Sequence, residues 1–227
     1  LWIAGDYHRR RPDLIGFVNG IPLVLFELKS PEHNVKTAFD DNLSDNLSDY
    51  RDAIPSIFLS NGFVILSNGI ETKVGSSFAE WDHFMEWKRV EDESEELKAS
   101  LETAIRGTCA KDKLLDLVEN FIVFEEMRGG LVKKMGKYHQ VIGVNSSLRA
   151  LADIRENQGR LGVFWHTQGS GKSLSMVFFC QKVLRSMEGN WTFVVVTDRD
   201  DLDSQIHKAF AATGAVTEPE DLCRAQS

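Results

Sequence analysis

The stretch that decides the fold runs from Arg9 to Lys29: Arg-Arg-Arg-Pro-Asp-Leu-Ile-Gly-Phe-Val-Asn-Gly-Ile-Pro-Leu-Val-Leu-Phe-Glu-Leu-Lys. It predicts two β-strands joined by a tight turn at Asn19-Gly20, since both of these residues tolerate a positive φ. The second strand, residues 21–28, is almost entirely apolar, which is typical of a strand buried on both faces. A hydrophobic sheet built on this hairpin is therefore expected.

Three charged side chains converge at the end of this hairpin. Because side chains alternate along a strand, Glu27 and Lys29 point to the same side, and the turn brings Asp13 back towards them. Two neighbouring carboxylates repel each other unless a cation lies between them, and hard oxygen ligands suit Mg²⁺. A lysine beside that metal can orient a water and help to deprotonate it. The group predicts metal-assisted phosphodiester hydrolysis; the simpler alternative is a surface hairpin with an ordinary salt bridge.

The spacing of these residues resembles the core of the PD-(D/E)xK nucleases. Asp13 follows a proline, and thirteen residues separate it from the Glu27-Leu28-Lys29 triplet. After this hairpin the sequence predicts further short strands at residues 57–60, 63–67 and 70–75, which would extend the sheet. A mixed sheet in βββ-α-β order, with helices packed around it, fits this resemblance.

The helix predicted over residues 35–53 carries a possible supporting motif. In the subgroup of these nucleases found in recombination and type I restriction, this helix holds a Gln-x-x-x-Tyr motif, and Asn46 and Tyr50 have the matching spacing. A directly repeated Asp-Asn-Leu-Ser turn leaves Asn42 as a rival for the amide position. The alternative is a plain amphipathic helix with a capping asparagine.

The composition is that of an ordinary globular protein, since 42% hydrophobic and 26% charged residues predict a real core. No apolar run is long enough to cross a membrane. Cys109, Cys180 and Cys223 are widely spaced and odd in number, which indicates a reducing cytoplasm and neither a zinc site nor a disulfide framework. The chain begins without methionine in what reads as mid-strand, so we expect a truncated N-terminus.

The net charge of −8 speaks against a protein that simply coats nucleic acid. The basic residues are nevertheless clustered, at residues 8–11 just before Asp13 and again at Lys133, Lys134 and Lys137. Local fields, more than the net charge, decide where a phosphate backbone can lie.

Residues 78–127 read as helical, with Trp81, Phe84 and Trp87 spaced for one packed face. Gly129-Gly130 is the strongest linker signal in the chain. We therefore expect a first domain at residues 1–128 and the start of a second at residues 129–227.

The second half predicts a P-loop. The pattern predicts a helix over residues 141–157, a strand over 161–165, a glycine-rich loop, and a helix to about residue 187. A second strand, 191–197, and a helix to about residue 212 follow. Glycines let backbone N–H groups close around a phosphate at a helix N-terminus. Lysine reaches the β- and γ-phosphates, and the serine hydroxyl binds Mg²⁺. The predicted ATP-binding residues are Thr167, Gln168, Gly169, Ser170, Gly171, Lys172 and Ser173.

A P-loop motor also needs a Walker B acid pair to hold Mg²⁺ and activate water. No Asp-Glu-x-His sequence or equivalent follows Ser173. We therefore expect weak ATP binding and inefficient hydrolysis by this chain.

Together the two halves resemble the restriction/translocase (R) subunit of type I restriction enzymes across essentially the whole chain. The motifs that carry the resemblance are Arg-Arg-Arg-Pro-Asp-Leu-Ile-Gly-Phe-Val-Asn-Gly-Ile-Pro-Leu, Phe-Glu-Leu-Lys-Ser-Pro, Asn-Leu-Ser-Asp-Tyr, Ile-Leu-Ser-Asn-Gly, Trp-His-Thr-Gln-Gly-Ser-Gly-Lys-Ser and Val-Val-Thr-Asp-Arg-x-Asp-Leu-Asp. The resemblance implies an α/β chain with a PD-(D/E)xK nuclease domain followed by the first part of a RecA-like parallel P-loop domain.

The resemblance also implies functions for individual residues. Asp13, Glu27 and the Leu28 backbone carbonyl become Mg²⁺ ligands, Lys29 becomes the catalytic lysine, and Asn46 and Tyr50 become supporting residues. Gln140 lies where the adenine-reading glutamine of the motor is expected, and Ser173 binds the Mg²⁺ of ATP. Residues 197–203 match the motif after the P-loop that usually contacts the DNA backbone in such motors. The implied partners are double-stranded DNA and the methyltransferase and specificity subunits.

Two other classes of function stay open. In one, the chain is part of a P-loop ATPase whose N-terminal half only binds nucleic acid or docks a partner. In the other, it is a truncated and catalytically dead product, because the Walker B pair is missing and a helical turn is duplicated.

Overall fold

The computed structural model describes residues 2–43, 50–127 and 129–223. The strands are β1 Ile3–Ala4, β2 Arg9–Arg10, β3 Leu14–Val18, β4 Ile21–Leu28, β5 Phe63–Ser67, β6 Thr72–Gly75, β7 Ile122–Met127 and β8 Gly130–Met135. The α-helices are α1 Lys36–Asn42, α2 Tyr50–Ala53, α3 Leu101–Thr108, α4 Lys111–Asn120, α5 Tyr138–Ala152, α6 Lys172–Ser186, α7 Asp200–Ala212 and α8 Glu220–Cys223. Two short 3-10 helices span Pro55–Leu59 and Trp81–His83.

The central sheet has the strand order β3-β4-β5-β6 and is mixed, as predicted. Strands β3 and β4 are antiparallel across the Asn19-Gly20 turn, where both residues have positive φ, 50° and 81°. Strand β4 then pairs in parallel with β5, and β5 pairs antiparallel with β6. The α/β class with a mixed sheet and flanking helices is therefore confirmed.

Strand β4 is buried on both faces, because helices cover each side of the sheet. On one face Leu25 packs with Val64 and Leu66 against α1 and α2. On the other face Val24 and Phe26 join a larger cluster that contains residues of α3, α4, β7, α5 and α6. Since Glu27 alternates with Phe26, it belongs to the face covered by α1 and α2.

The predicted linker at Gly129-Gly130 lies in a hairpin turn, since Met127 pairs with Gly130 between β7 and β8. The larger hydrophobic cluster continues across this point, from Phe121 on one side to Val141 and Phe178 on the other. A flexible linker was therefore the wrong interpretation of these two glycines, and the division of the chain at residues 128 and 129 stays a prediction.

Two predictions in the first half were wrong about the type of structure. Residues 57–60 were expected to form a strand, but Pro55 starts a 3-10 helix, because its fixed φ and missing N–H suit a first helical position. The stripe of Trp81, Phe84 and Trp87 was expected on a helix. Residues 81–83 form one 3-10 turn, and backbone hydrogen bonds between Met85 and Val74 then attach the chain to β6. The stripe does pack in the core, where Phe84 and Trp87 are buried.

The parallel sheet that was predicted for the second half does not form among the described residues. Within the described residues, segments 161–165 and 191–197 pair with no strand, although α5, α6 and α7 all form. Helical hydrogen bonds are local, whereas a strand needs a neighbour to bond with. Val163, Trp165 and Val196 are accordingly 85%, 93% and 88% exposed.

Among the helices of the described residues, none has the length and apolar character that a membrane span requires.

Candidate functional site

The hairpin places Asp13 and Glu27 side by side. Leu14 pairs with Phe26, so the next position of each strand brings the two acids opposite each other. The Leu28 N–H donates to Asp13 Oδ2 at 2.7 Å, and the Asp13 N–H donates to the Glu27 carboxyl group. These reciprocal bonds hold the two acids in register at the edge of the sheet.

The two acids have very different surroundings. Asp13 is exposed, whereas Glu27 is only 2% exposed. Burial raises the pKa of the Glu27 carboxyl from its ordinary value of 4.5 to about 8, and the charge of Asp13 adds to the rise. Hydrogen bonds from the Tyr50 hydroxyl and the Asp13 N–H, together with the charge of Lys29, oppose it. A buried carboxyl beside another acid is a group that a bound cation would deprotonate.

Two side chains from the predicted helix reach the buried acid. Tyr50 is buried on α2, and its hydroxyl hydrogen-bonds Glu27. Burial raises the pKa of this tyrosine, and the neighbouring Glu27 raises it further. Asn42 Nδ2 donates to Glu27 Oε2 at 3.1 Å and to the Ala38 carbonyl at 3.2 Å. Asn46 lies outside the described residues. The structure therefore brings Tyr50 and Asn42, the rival amide, to the acid pair.

Lys29 forms an ion pair that the sequence analysis missed. Its Nζ lies 2.8 Å from Asp41 Oδ2, on the last turn of α1. Asp41 directly precedes Asn42 in the repeated Asp-Asn-Leu-Ser turn, which was the only signal for it. The lysine is partly exposed, with 24% of its side chain accessible.

The atoms around the acid pair fit a hard divalent cation. Glu27 Oε1 is buried and has no hydrogen-bond partner within the described residues, so it is available to a ligand. Asp13 supplies a second carboxylate, and Leu28 adds a backbone carbonyl at the end of β4. In the part of the chain that the structure describes, no three His, Cys, Asp or Glu side chains are grouped so that they could hold a metal ion. A metal here would rest on two carboxylates and a carbonyl, which are ligands that suit Mg²⁺.

The glycine-rich loop before α6 has left-handed backbone at two of the glycines that the sequence analysis singled out. Gly169 and Gly171 have φ of +77° and +91°, which side chains with a Cβ rarely adopt. Helix α6 begins at Lys172, so its N–H groups face the loop. The Lys172 Nζ donates to the carbonyls of His166 and Thr167 at 2.8 and 3.2 Å. Ser173 follows it in the first turn, while Thr167, Gln168, Gly169 and Ser170 lie in the turn itself.

Two side chains of helix α5 contact the backbone of this loop. Gln140 is 1% exposed; its Nε2 donates to the Gly171 carbonyl at 2.9 Å, and its Oε1 accepts from the Lys137 N–H at 2.9 Å. His139 Nε2 lies 3.2 Å from the Ser170 carbonyl. Both ends of the Gln140 amide therefore bind backbone, and its adenine-reading role stays a prediction.

A cleft of about 270 Å³ opens beside the loop. The rings of His139 and His166 meet edge to face there, with centroids 4.7 Å apart, and burial lowers the pKa of His139. Two lining residues, Arg89 and Glu93, come from the first half of the chain and were not predicted. The full lining is Arg89, Glu93, Tyr138, His139, Ile142, Trp165, His166, Thr167 and Ser170.

Two family models match the chain. The model described as type I restriction enzyme R protein N terminus matches residues 1–83, and the SWI2/SNF2 ATPase model matches residues 139–226. The HindI endonuclease subunit of a type I restriction enzyme from Haemophilus influenzae is 39% identical over 215 residues, which are 90% of this chain and 20% of the relative. The MjaIXP endonuclease subunit of Methanocaldococcus jannaschii is 32% identical over 229 residues, 89% of this chain and 21% of the relative.

The chain belongs to the R-subunit family of type I restriction enzymes. It spans about a fifth of the length of these curated relatives. The two matched regions of this R-subunit chain contain its two candidate sites: the acid pair lies in the first, and the glycine-rich loop in the second.

Proposed function

We propose that this chain is the nuclease and nucleotide-loop portion of an R subunit that cleaves double-stranded DNA in the presence of Mg²⁺. The observation that carries the proposal is the buried Glu27 carboxyl, which lies beside Asp13 and has one oxygen without a hydrogen-bond partner among the described residues. Burying such an acid costs stability above its ordinary pKa, and acids with strongly raised pKa values are concentrated at functional sites.

In this proposal Asp13, Glu27 and the Leu28 carbonyl hold Mg²⁺, which supplies charge stabilisation at the phosphodiester and lowers the pKa of a water. Tyr50 and Asn42 hold the Glu27 carboxyl in place from the helix side. Lys29, kept in position by Asp41, orients the attacking water towards the phosphorus. As the water oxygen bonds to phosphorus, the water gives up a proton to solvent; the phosphorus bond to the 3′ or 5′ oxygen breaks, and that leaving oxygen takes a proton from solvent.

The glycine-rich loop is proposed to bind the phosphates of ATP, with Lys172 leaving its two carbonyl partners for the β- and γ-phosphates and Ser173 binding Mg²⁺ through the nucleotide. The relatives are named endonuclease subunits of type I restriction enzymes. On that basis we propose coupling of cleavage to ATP-driven DNA translocation, and assembly with methyltransferase and specificity subunits.

An Asp13→Ala variant tests the nuclease role against the alternative of a docking module. We expect Asp13→Ala to abolish Mg²⁺-dependent plasmid cleavage and to leave the binding of a fluorescent ATP analogue unchanged. An Asp52→Ala variant, at a charged position on α2, is the matched control and should keep both activities. Cleavage that survives Asp13→Ala would favour the docking module.

A further inference from the structure

Three consecutive arginines lie next to the acid pair without an ion-pair partner in the part of the chain that the structure describes. Arg9 and Arg11 are exposed and Arg10 is half-buried. None of the three forms a salt bridge within the described residues, whereas Lys29, Lys113 and Lys182 all do. Among the described residues, the side chains of these arginines make one hydrogen bond, from Arg10 Nη1 to the Arg9 carbonyl at 3.2 Å.

The hairpin that carries these arginines is fixed to the candidate active site. Strand β2 pairs with β1, with Arg9 opposite Ala4. Gly5 at the turn packs so closely on the end of α2 that an added Cβ would lie 1.9 Å from the Ala53 carbonyl oxygen. Helix α2 packs against β2 and also carries Tyr50. The strand that bears Arg9 and Arg10 is therefore held next to the helix whose Tyr50 hydrogen-bonds Glu27.

The chain itself limits the distance between these cations and the acids. Arg11 is two residues from Asp13, so their Cα atoms are at most about 7.6 Å apart. Pro12 between them is buried, which holds the connection against the core. The arginines thus form a short basic strip that leads into the acid pair.

Two lysines of the other basic cluster, Lys133 and Lys134, already have partners within the protein. Lys133 is 7% exposed and donates to the Asn61 carbonyl and, at 3.0 Å, to Ser77 Oγ. Lys134 pairs with Glu125. Lys133 and Lys134 are thus engaged within the fold, whereas Arg9, Arg10 and Arg11 form no salt bridge among the described residues and lie next to the acid pair.

We propose that Arg9, Arg10 and Arg11 bind the phosphate backbone of duplex DNA and thereby present the adjoining phosphodiester to Asp13 and Glu27. This assignment rests on the proposed nuclease function. Guanidinium groups bind phosphate oxygens in bidentate pairs. A chain with a net charge of −8 and two acids at the site needs such a local positive field to hold a polyanion. Because the contacts are to phosphates, binding is independent of base sequence.

The test measures duplex binding separately from cleavage. Fluorescence anisotropy of a labelled duplex, in EDTA and over a series of salt concentrations, compares the full chain with Arg9→Gln/Arg11→Gln. The matched control is Arg155→Gln/Arg160→Gln, which removes two exposed arginines from another part of the surface. We expect the strip variant to bind about tenfold more weakly and to lose about 2 from the slope of log K against log salt. The control should keep both values, and Arg9→Lys/Arg11→Lys should keep the slope.

Each other result overturns the assignment. Equal losses in the strip variant and the control would mean that only net charge matters, and unchanged binding in the strip variant would remove the strip from the interface. Absence of duplex binding by the unmodified chain would also contradict it. Thermal unfolding of every variant confirms that the fold is intact. Binding lost as expected, together with no Mg²⁺-dependent cleavage by the unmodified chain, would refute the nuclease function and leave the phosphate strip standing.

Discussion

Lys29 Nζ lies 2.8 Å from Asp41 Oδ2, and this ion pair joins the end of β4 to helix α1. The pair holds the ammonium group of the proposed catalytic lysine in one position beside the acid pair. Asp41 is therefore a positioning residue, which acts through Lys29.

Asp41→Asn should lower the rate of Mg²⁺-dependent cleavage by about tenfold, because groups that orient active residues have effects of this size. The loss should appear in kcat more than in KM. Asp40→Asn, on the neighbouring position of α1, is the control and should stay close to the unmodified chain. Equal rates for Asp41→Asn and the unmodified chain would mean that the ion pair is only structural.

Binding of Mg²⁺ should strengthen as the pH rises towards 8. The folded-state pKa of Glu27 is raised to about 8 from 4.5, so between these values the folded chain holds a proton that the unfolded chain has lost. Without metal, stability therefore falls as the pH rises through this window. Mg²⁺ must displace the proton, so its affinity should increase about tenfold per pH unit below the pKa. Thermal unfolding with and without Mg²⁺ at several pH values measures both trends.

Glu27→Gln is the control for that experiment, since the amide keeps the shape and cannot titrate. Its apo stability should be flat over the same pH range and its Mg²⁺ response should be lost. A Mg²⁺ response of equal size at pH 6 and pH 8 in the unmodified chain would contradict the role given to Glu27.

Gln140→Ala should weaken the binding of nucleotide by loosening the glycine-rich loop. The substitution removes two hydrogen bonds: the partly buried Lys137 N–H loses its acceptor, at a cost of about 1–3 kcal/mol, and the Gly171 carbonyl keeps the Ser175 N–H as a donor but loses its link to α5. Because both amide ends bind backbone, we expect ATP and GTP affinities to fall equally. A loss confined to ATP would instead support the adenine-reading role of Gln140.

A polar network joins the two halves of the chain at α4, α5 and α6. Lys182 Nζ binds Asp116 Oδ1 and lies 2.6 Å from Asn145 Oδ1, while Asn145 Nδ2 donates to Asp116 Oδ2 at 3.1 Å. The pair is largely buried, with side-chain exposures of 12% and 24%. Lys182→Met should therefore destabilise the chain by about 1–3 kcal/mol, because Asp116 loses its cation.

Urea unfolding measures that change, and a double-mutant cycle with Asp116→Asn isolates the interaction. The double variant should lose less than the sum of the two single variants. Strict additivity would show that Lys182 and Asp116 do not stabilise each other across the junction.

The parts of the fold that could be predicted from the sequence are those with local causes. The Asn19-Gly20 turn is specified by two residues that tolerate positive φ, and the alternation along β4 placed Glu27 and Lys29 at its end. Helices α5, α6 and α7 followed from periodicity and from the glycines before Lys172. Each of these signals lies within a few residues of the structure it predicts.

The failures have non-local causes. Residues 161–165 and 191–197 read as buried strands, but a strand forms only where another strand offers hydrogen bonds. The spacing of Trp81, Phe84 and Trp87 suits a helix, yet the bond between Met85 and Val74 ends the turn. Asp41 could not be predicted as the partner of Lys29, because α1 offers two neighbouring acids, Asp40 and Asp41, at similar distances along the chain.

The most direct test of the central claim is Mg²⁺-dependent nicking of supercoiled plasmid DNA by the unmodified chain and by Lys29→Ala, side by side. Lys36→Ala, which removes an exposed lysine paired with Asp40 on α1, is the matched control. The account predicts nicking by the unmodified chain and the control that requires Mg²⁺, and its loss in Lys29→Ala. Equal nicking by Lys29→Ala and the unmodified chain would contradict it.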